Sequence, residues 1–371
     1  MTVSAVRLGA IAIKGLLSSV QLPPGGITDV LMGNVLQAGQ GQAPARQAAI
    51  LAGLSESVRT VTINKVCGSG LQALMQASHA LQSNMGLFHV VGGMENMSQA
   101  PYLLPNAREG YRLGHQQVVD SVLLDGLWDP YNNRHMGSCA EQCALKFGFS
   151  REQQDAFAVE SFKRANAAQA DGRLAQEITP VENINARGSL TRIELDESPG
   201  RVNYGKIPTL RPSFQEGGTI TAANASSLND GAAALLVSSE EAARENGLDP
   251  IARVVSFGVH ANDPIWFTTA PIQATRQALK TAGWSVADVD LWEINEAFAV
   301  VPLAYMSELG VSHECVNVRG GAIALGHPLG CSGARIVVTL ISALRERGLK
   351  RGVAALCIGG GEGIAACIEL I

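Results

Sequence analysis

The chain has 371 residues, of which 46% are hydrophobic and 16% charged, and its 28 Lys and Arg against 33 Asp and Glu leave a formal net charge of −5. This balance excludes an intrinsically disordered chain, and the lack of a basic run argues against a nucleic-acid binder. The longest apolar runs are far shorter than the roughly 18 residues of a transmembrane helix, so we expect no membrane span.

The seven cysteines are an odd number without a CxxC pair, and the first residues form no apolar secretory segment. In a chain of this length, both features favour a reducing compartment and argue against a disulfide framework or a zinc site. We therefore predict a cytoplasmic protein without a metal, and a mitochondrial protein stays an alternative.

Apolar runs of strand length alternate with amphipathic helical segments, which is typical of an α/β fold with mostly buried sheets. Ser150 and Gln153 have the spacing of a capping box at the start of one helix. In chain order we predict a strand at 30–32, helices at 45–51 and 70–81, a strand at 88–92, a helix at 151–170, a strand at 289–293, a helix at 296–309, a strand at 315–318, a helix at 332–347 and strands at 353–358 and 363–370.

The two halves of the chain resemble each other. Residues 66–74 and 330–337 each open a helix after a tight turn, and a glycine-rich strand end follows each about 25 residues later. This repetition predicts two similar α/β halves that face each other, with a site at their junction. Prolines and polar segments interrupt the pattern between the halves. We therefore predict a first half at 1–98 and 217–247, an inserted loop domain at 99–216 and a second half at 248–371.

Cys67 and His327 lie in glycine-rich segments that could carry chemistry. Cys67 precedes a helix whose positive dipole end would lower the pKa of the thiol, which favours a nucleophilic thiolate. A buried cysteine at a tight turn is the alternative. His327 is restricted by the proline that follows it and could accept the proton of such a thiol, and a structural loop histidine is the alternative.

Two further residues have both a chemical and a structural interpretation. Cys357 ends an apolar strand before three glycines whose amides could form an oxyanion site, although a core cysteine would look the same. Asn295 could hold a water or a substrate oxygen, or only cap the helix that follows. Cys139 and Cys143 lie one helical turn apart, and two such residues indicate core packing more than a metal site.

Five motifs occur together in the order found in thiolases: Asn-Lys-Val-Cys-Gly-Ser-Gly at 64–70, Gly-Gly-Met-Glu-Asn-Met-Ser at 92–98, Asn-Glu-Ala-Phe at 295–298, Gly-His-Pro-Leu-Gly at 326–330 and Cys-Ile-Gly-Gly-Gly at 357–361. From about Arg7 to its C-terminus, the sequence therefore resembles the thiolase family, and most of all its acetyl-CoA acetyltransferase branch. The resemblance implies duplicated α/β halves layered αβαβα, with a loop domain that binds coenzyme A. It further implies a homodimer or homotetramer that condenses two acetyl-CoA reversibly to acetoacetyl-CoA, without a metal or redox cofactor.

The resemblance also implies roles for individual residues. Cys67 would become acetylated, His327 would activate its thiol, and Cys357 would deprotonate the second acetyl-CoA. Asn295 would hold a water in one oxyanion hole, and the amides of Cys67 and Gly359 would form the other. The residues implied to contact the acyl-CoA are His135, Met136, Arg201, Lys206, Ser226 and Phe298.

Two departures from the family pattern give further expectations. The family begins with a strand before its first helix, whereas this sequence opens almost inside that helix, so we expect the first sheet to lack one strand. Some mitochondrial relatives bind potassium through a tyrosine at the position of Phe162, so we predict no such ion.

Three other activities compete with this interpretation. The first is a 3-ketoacyl-CoA thiolase of broader chain length, although Met136, Trp266 and Phe267 would crowd a long acyl tunnel. The second is a thiolase-like acyl-CoA-binding protein, which would be expected to lack at least one of Cys67, His327 and Cys357. The third is a decarboxylating condensing enzyme, which would carry a histidine at the position of Asn295.

Overall fold

The first half of the chain alternates strands with helices, as predicted. The computed structural model describes residues 2–20, 22, 26–184 and 188–371. Ser4 caps the first helix by accepting a hydrogen bond from the backbone of Arg7. The elements of this half are α1 (Ala5–Ser19), β1 (Asp29–Gly33), α2 (Pro44–Leu51), β2 (Arg59–Ile63), α3 (Ser69–Gln82) and β3 (Phe88–Asn96).

The segment after β3 contains short hairpins and two long helices. The predicted capping box is confirmed, because the side chains and backbones of Ser150 and Gln153 bond reciprocally. The elements are β4 (Tyr102–Leu103), β5 (Val119–Asp120), a π-helical segment (Val122–Leu127), β6 (Trp128–Asp129), β7 (Arg134–His135), α4 (Met136–Phe147), α5 (Arg151–Ala170), β8 (Val181–Ile184), β9 (Leu190–Ile193) and α6 (Glu197–Arg201).

The remaining elements complete the first sheet and build a second one. They are β10 (Asp230–Ser238), α7 (Glu240–Glu245), β11 (Ala252–Ala261), α8 (Ala270–Ala282), β12 (Leu291–Ile294), α9 (Val300–Leu309), α10 (Ala322–Leu325), α11 (Leu329–Arg347), β13 (Arg351–Ile358) and β14 (Glu362–Leu370). Short 3-10 helices lie at Met97–Gln99, Leu174–Gln176, Tyr204–Thr209, Pro264–Thr269, Val286–Asp288 and His313–Cys315.

Three strands of each four-stranded sheet correspond in topology, β10-β3-β1 to β14-β13-β12. The first has the order β10-β3-β1-β2, and the second has the order β11-β14-β13-β12. In each sheet a central parallel pair, β3 with β1 or β13 with β12, is flanked by an antiparallel strand, β10 or β14. The helices α1 and α2 pack outside the first sheet, α3 and α11 lie between the sheets, and α8 packs outside the second. The predicted duplicated, layered α/β fold is therefore confirmed.

The two sheets differ at both edges. Next to β1 the first sheet has the parallel strand β2, whereas next to β12, among the described residues, only Val316 forms a bridge, to Trp292. β11 pairs along β14, whereas among the described residues no strand pairs with the outer edge of β10. The side chains of β10 are consequently half-buried along its length, while Gly363 to Ile368 of β14 are buried. A groove of about 1560 Å³ follows this edge between α1 and α11. This is the difference that the sequence predicted for the first sheet.

Two predicted elements need correction. The helix predicted at 296–309 begins at Val300, because Phe298 forms an antiparallel β-bridge with Ala225 instead of a helical turn. The strand predicted at 315–318 is wrong, since only Val316 forms a bridge, parallel to Trp292. Asn317 has a left-handed φ of 49° that ends the extended run, and its side-chain amide bonds both backbone groups of Ile294 instead, each at 2.8 Å.

The two halves come into close contact through glycines in the middle layer. A Cβ on Gly70 of α3 would lie 2.6 Å from the backbone nitrogen of Ala334 in α11. A Cβ on Gly333 of α11 would lie 2.3 Å from the backbone nitrogen of Leu71. Both distances are too short for a real side chain, so this approach of α3 to α11 requires glycine on both helices.

Candidate active site

The turn that carries Cys67 lies between β2 and α3 and is held by side chains. Asn64 Oδ1 accepts a hydrogen bond of 3.0 Å from the Val66 backbone, and Ser69 Oγ accepts one of 2.8 Å from the Lys65 backbone. Val66 has a φ of 45°, which is strained for a β-branched residue. Such strain is typical of functional turns, and here it places the half-buried Cys67 just before the helix.

The pKa of the Cys67 thiol is raised rather than lowered, which corrects the prediction from sequence. Burial is the largest cause and raises the pKa to about 11, while the backbone N–H groups of Gly359 and of Cys67 itself oppose it by hydrogen bonding to the sulfur. The backbone effect therefore has the predicted direction, but desolvation outweighs it. The amides of residues 67 and 359, which belong to different halves of the chain, meet at this sulfur.

Cys357 lies near Cys67 at the end of β13. It is fully buried, and burial raises its pKa well above the ordinary range, with the Cys67 thiol as the next cause. A Cβ on Gly359 would lie 3.4 Å from Met136 Sδ, so the thioether of α4 borders the same place. The structure thus brings Cys67, Cys357 and Met136 together around one backbone turn.

His327 is a buried, uncharged imidazole. Its side chain is 5% exposed, and its Nδ1 lies 2.6 Å from Ser332 Oγ. Burial lowers its pKa to about 4, and the positive charge of Arg335 acts in the same direction. The ring is therefore neutral near pH 7 and has one nitrogen free to accept a proton.

Asn295 contacts the imidazole and does not cap a helix. Its Nδ2 lies 3.4 Å from Nε2 of His327, and its backbone nitrogen donates to the Ala355 carbonyl at 3.0 Å. The following helix starts at Val300 with Ala299 as its cap, so the helix-cap interpretation is wrong. Asn295 Oδ1 is buried and has no hydrogen-bond donor among the described residues, which suits an acceptor for a bound water or ligand.

Four of the residues implied to bind the acyl-CoA, His135, Met136, Ser226 and Phe298, lie beside the candidate catalytic residues. The ring of His135 stacks on Phe214 at 4.7 Å, and Phe214 meets Phe298 edge to face at 5.9 Å. Ser226 Oγ donates to the Ala297 carbonyl at 3.1 Å, directly before Phe298. Together with Met136, they form an aromatic and apolar wall that leads from the segment containing Asn295 into the inserted region.

The structure does not bring Arg201 and Lys206, the two predicted basic residues, to the candidate catalytic residues. Arg201 is exposed and pairs with Glu197 at 2.6 Å. Lys206 is exposed as well, and its backbone carbonyl accepts from Thr209. No described contact joins either side chain to Cys67 or His327, so their role at a nucleotide stays a prediction.

Sequence reasoning missed two buried carboxylates that hold the site together. Glu95 accepts hydrogen bonds from the backbones of Val35, Leu36 and Gly330 at 2.9 to 3.1 Å and so ties the first half to the start of α11. Glu296 accepts from the Ser161 hydroxyl, the Asn317 amide and the Ile323 backbone. A charged residue inside a glycine-rich or apolar motif was the available signal, because a buried carboxylate needs partners.

The described ranges have neither a candidate metal cluster nor a candidate membrane span. They contain no group of three or more His, Cys, Asp or Glu side chains that could hold a metal ion. No helix in the same ranges is long and apolar enough to cross a membrane. Phe162 packs in an apolar cluster on α5, and the buried Cys139 and Cys143 belong to the core, as predicted.

Comparison with known proteins decides the family. Residues 1–241 match the family model of the thiolase N-terminal domain, and residues 248–370 match that of the thiolase C-terminal domain. The chain belongs to the thiolase family. This thiolase is 50% identical to acetyl-CoA acetyltransferase 2 of Arabidopsis thaliana over 99% of the chain and 92% of that protein. It is 47% identical to acetyl-CoA acetyltransferase of Cupriavidus necator over 99% of the chain and 94% of that protein.

Solved structures agree with this thiolase over its whole length. A thiolase of Ascaris suum in complex with coenzyme A has a TM-score of 0.94 and 43% identity, and the match covers 100% of this chain and 94% of the other. The acetyl-CoA acetyltransferase of Bacillus anthracis has a TM-score of 0.96 and 39% identity with the same coverage. The predicted family and fold are confirmed.

Proposed function

We propose that this thiolase is an acetyl-CoA C-acetyltransferase, which forms acetoacetyl-CoA and free coenzyme A from two acetyl-CoA and also runs in reverse. The observation that carries the proposal is the meeting of two thiols, Cys67 and Cys357, from different halves of the chain, with two backbone amides at the first sulfur. The names of relatives at 45–50% identity support acetyl-CoA as the substrate.

In the first half-reaction, Cys67 attacks the carbonyl carbon of acetyl-CoA. Its thiol pKa of about 11 leaves little thiolate at pH 7, so the proton leaves as the S–C bond forms, and neutral His327 accepts it. The amides of residues 67 and 359 stabilise the developing negative oxygen. The bond from carbon to the coenzyme A sulfur then breaks, and Cys357 gives that sulfur its proton.

In the second half-reaction, the Cys357 thiolate left by the first step removes a proton from the methyl group of a second acetyl-CoA. Asn295 and protonated His327 would stabilise the enolate oxygen, Asn295 through a water. The enolate carbon attacks the acetyl group on Cys67, the S–C bond breaks, and the Cys67 sulfur recovers its proton from His327. Protons and bonds balance over the cycle.

The remaining expectations of function follow from this chemistry. Every step is an acyl or proton transfer, so the reaction itself calls for no redox cofactor. His135, Met136, Ser226 and Phe298 would bind the pantetheine part of the substrate, and Arg201 and Lys206 its nucleotide. We propose a cytoplasmic homodimer or homotetramer.

Mass spectrometry after exposure to acetyl-CoA tests the proposal. We expect one acetyl group on the peptide that contains Cys67, and none in Cys67→Ser. The control is Cys315→Ser, which changes a half-buried cysteine at the end of a short 3-10 helix and should be acetylated like the wild type. An acetyl group on another cysteine would contradict the assignment.

Substrate range separates the proposal from its main alternative. The Met136 thioether beside Gly359 narrows the space next to the acyl group, which favours a short chain. We expect thiolysis of acetoacetyl-CoA to be much faster than thiolysis of a long-chain 3-ketoacyl-CoA. Equal rates would instead indicate a 3-ketoacyl-CoA thiolase of broad range.

A further inference from the structure

Ser332 stands between the imidazole of His327 and the first turn of α11. Both side chains are buried, at 1% and 5% exposure. Ser332 Oγ lies 2.6 Å from His327 Nδ1 and 2.9 Å from the carbonyl oxygen of Pro328, one helical turn earlier. The hydroxyl therefore bridges the histidine to the backbone of its own loop.

The direction of these two hydrogen bonds follows from counting hydrogens. A carbonyl oxygen can only accept, so the single hydroxyl hydrogen of Ser332 points to Pro328. The hydroxyl oxygen must then accept at its other contact, which requires a hydrogen on His327 Nδ1. Back-bonding of a serine to the carbonyl four residues earlier is a common helical geometry and fixes the hydroxyl rotor.

We propose that Ser332 is a positioning residue that holds His327 as the tautomer with its hydrogen on Nδ1 and its lone pair on Nε2. Nε2 is the ring nitrogen that does not contact the α11 hydroxyl, so it keeps its lone pair for a proton. The inference rests on the proposed function, because it names the nitrogen that accepts the Cys67 proton.

The surroundings of His327 leave this tautomer choice to Ser332. Asn295 Nδ2 lies at 3.4 and 3.5 Å from the two ring nitrogens and therefore favours neither strongly. Arg335 acts on the ring through its charge and opposes protonation at both nitrogens. The hydrogen bond of 2.6 Å between Ser332 and Nδ1 is much shorter than the two contacts with Asn295, so it decides which nitrogen carries the hydrogen.

Replacing the hydroxyl tests the inference. In Ser332→Ala, the buried Nδ1 hydrogen loses its acceptor, so the ring shifts toward the tautomer with its lone pair on the wrong nitrogen. We expect acetylation of Cys67, followed by rapid quenching and mass spectrometry, to slow by about 10- to 100-fold, with the KM for acetyl-CoA changed by less than about threefold. Ser332→Thr keeps the hydroxyl and should recover most of the rate.

A spectroscopic measurement and a matched control make the result specific. In protein labelled with 15N-histidine, Nδ1 of His327 should have the chemical shift of a protonated nitrogen in the wild type and lose it in Ser332→Ala. The resonance is assigned by its loss in His327→Asn. Ser342→Ala removes a hydroxyl from the same helix, where it accepts a hydrogen bond of 2.8 Å from Arg319, and should leave rate and spectrum unchanged.

Three results would overturn the inference: an unchanged tautomer in Ser332→Ala, an equal loss of rate in Ser342→Ala, or no recovery in a folded Ser332→Thr. A wild-type chain that forms no acetyl-Cys67 would overturn the proposed function together with this inference. A wild-type chain that acetylates normally beside an equally fast Ser332→Ala would overturn only the inference.

Discussion

The backbone N–H of Gly359 donates a hydrogen bond to the sulfur of Cys67, although the two residues belong to different sheets and different halves of the chain. Gly359 follows β13 of the second sheet, and Cys67 follows β2 of the first. The contact exists because α3 and α11 approach closely enough to bring the two turns together. The sulfur of Cys67 is thus placed by the duplication of the fold.

Alkylation of Cys67 should depend on pH as expected of a buried thiol. Because burial raises its pKa to about 11, the thiolate fraction increases about tenfold per pH unit up to that value. We expect the rate of iodoacetamide labelling, measured on the Cys67 peptide, to keep rising to about pH 10. A plateau already near pH 8 would show that the hydrogen bonds from the two backbone amides lower the pKa of Cys67 by more than burial raises it.

Cys357→Ala should separate the two half-reactions. Cys67, His327 and the two amides stay intact, so acetyl-Cys67 still forms, although more slowly because the leaving coenzyme A sulfur loses its proton donor. No thiol remains to deprotonate the second substrate. Condensation should fall by about 10²- to 10⁴-fold in a coupled assay for acetoacetyl-CoA. Cys367→Ala is the control, because Cys367 is also buried in the second sheet, on β14. Normal condensation by Cys357→Ala would place the base elsewhere.

Gly333→Ala should destabilise the junction of the halves. Its Cβ would lie 2.3 Å from the Leu71 backbone, so α3 and α11 must separate. We expect the free energy of unfolding in urea to fall by about 1–3 kcal/mol, and acetylation of Cys67 to slow. Gly200→Ala is the control, since a Cβ there meets nothing within 4 Å. Equal stability of both variants would mean that the helix contact is not tight.

Glu293→Gln should change how stability depends on pH. Burial raises the pKa of Glu293 from 4.5 to about 8 against the opposing charge of Arg335, whose Nη1 lies 3.8 Å from Oε2, and neither carboxyl oxygen has a hydrogen-bond partner among the described residues. Between these values the unfolded chain is ionised at this residue while the folded chain stays protonated. The free energy of unfolding therefore falls as pH rises, by at most on the order of 1.4 kcal/mol per pH unit. It stops falling above about pH 8, where both states are ionised at this residue.

The variant does not titrate at this position, so its stability relative to the wild type should increase between about pH 5 and pH 8. Urea unfolding at several pH values measures this difference. Glu240→Gln is the control, because Glu240 forms an exposed ion pair with Arg253. A difference independent of pH would show that Glu293 is ionised in the folded protein.

The sequence by itself determined the type and order of most elements and the duplication, and it named the candidate catalytic residues. Hydrophobic periodicity and turn chemistry are local properties, so the helix of 151–170 with its capping box followed from them directly. The five motifs likewise predict roles for Cys67, His327 and Cys357 through a resemblance, which needs no distances.

Only the tertiary structure decided the electrostatics and the partners of these residues. The raised pKa of Cys67, the bond from Ser332 to His327 and the role of Glu95 depend on burial and on contacts between segments distant in the chain. The strand wrongly predicted at 315–318 also reflects a contact between distant segments, because the side chain of Asn317 forms hydrogen bonds with the backbone of Ile294. Desolvation and long-range hydrogen bonding leave no local pattern, which is why the sequence alone could not predict them.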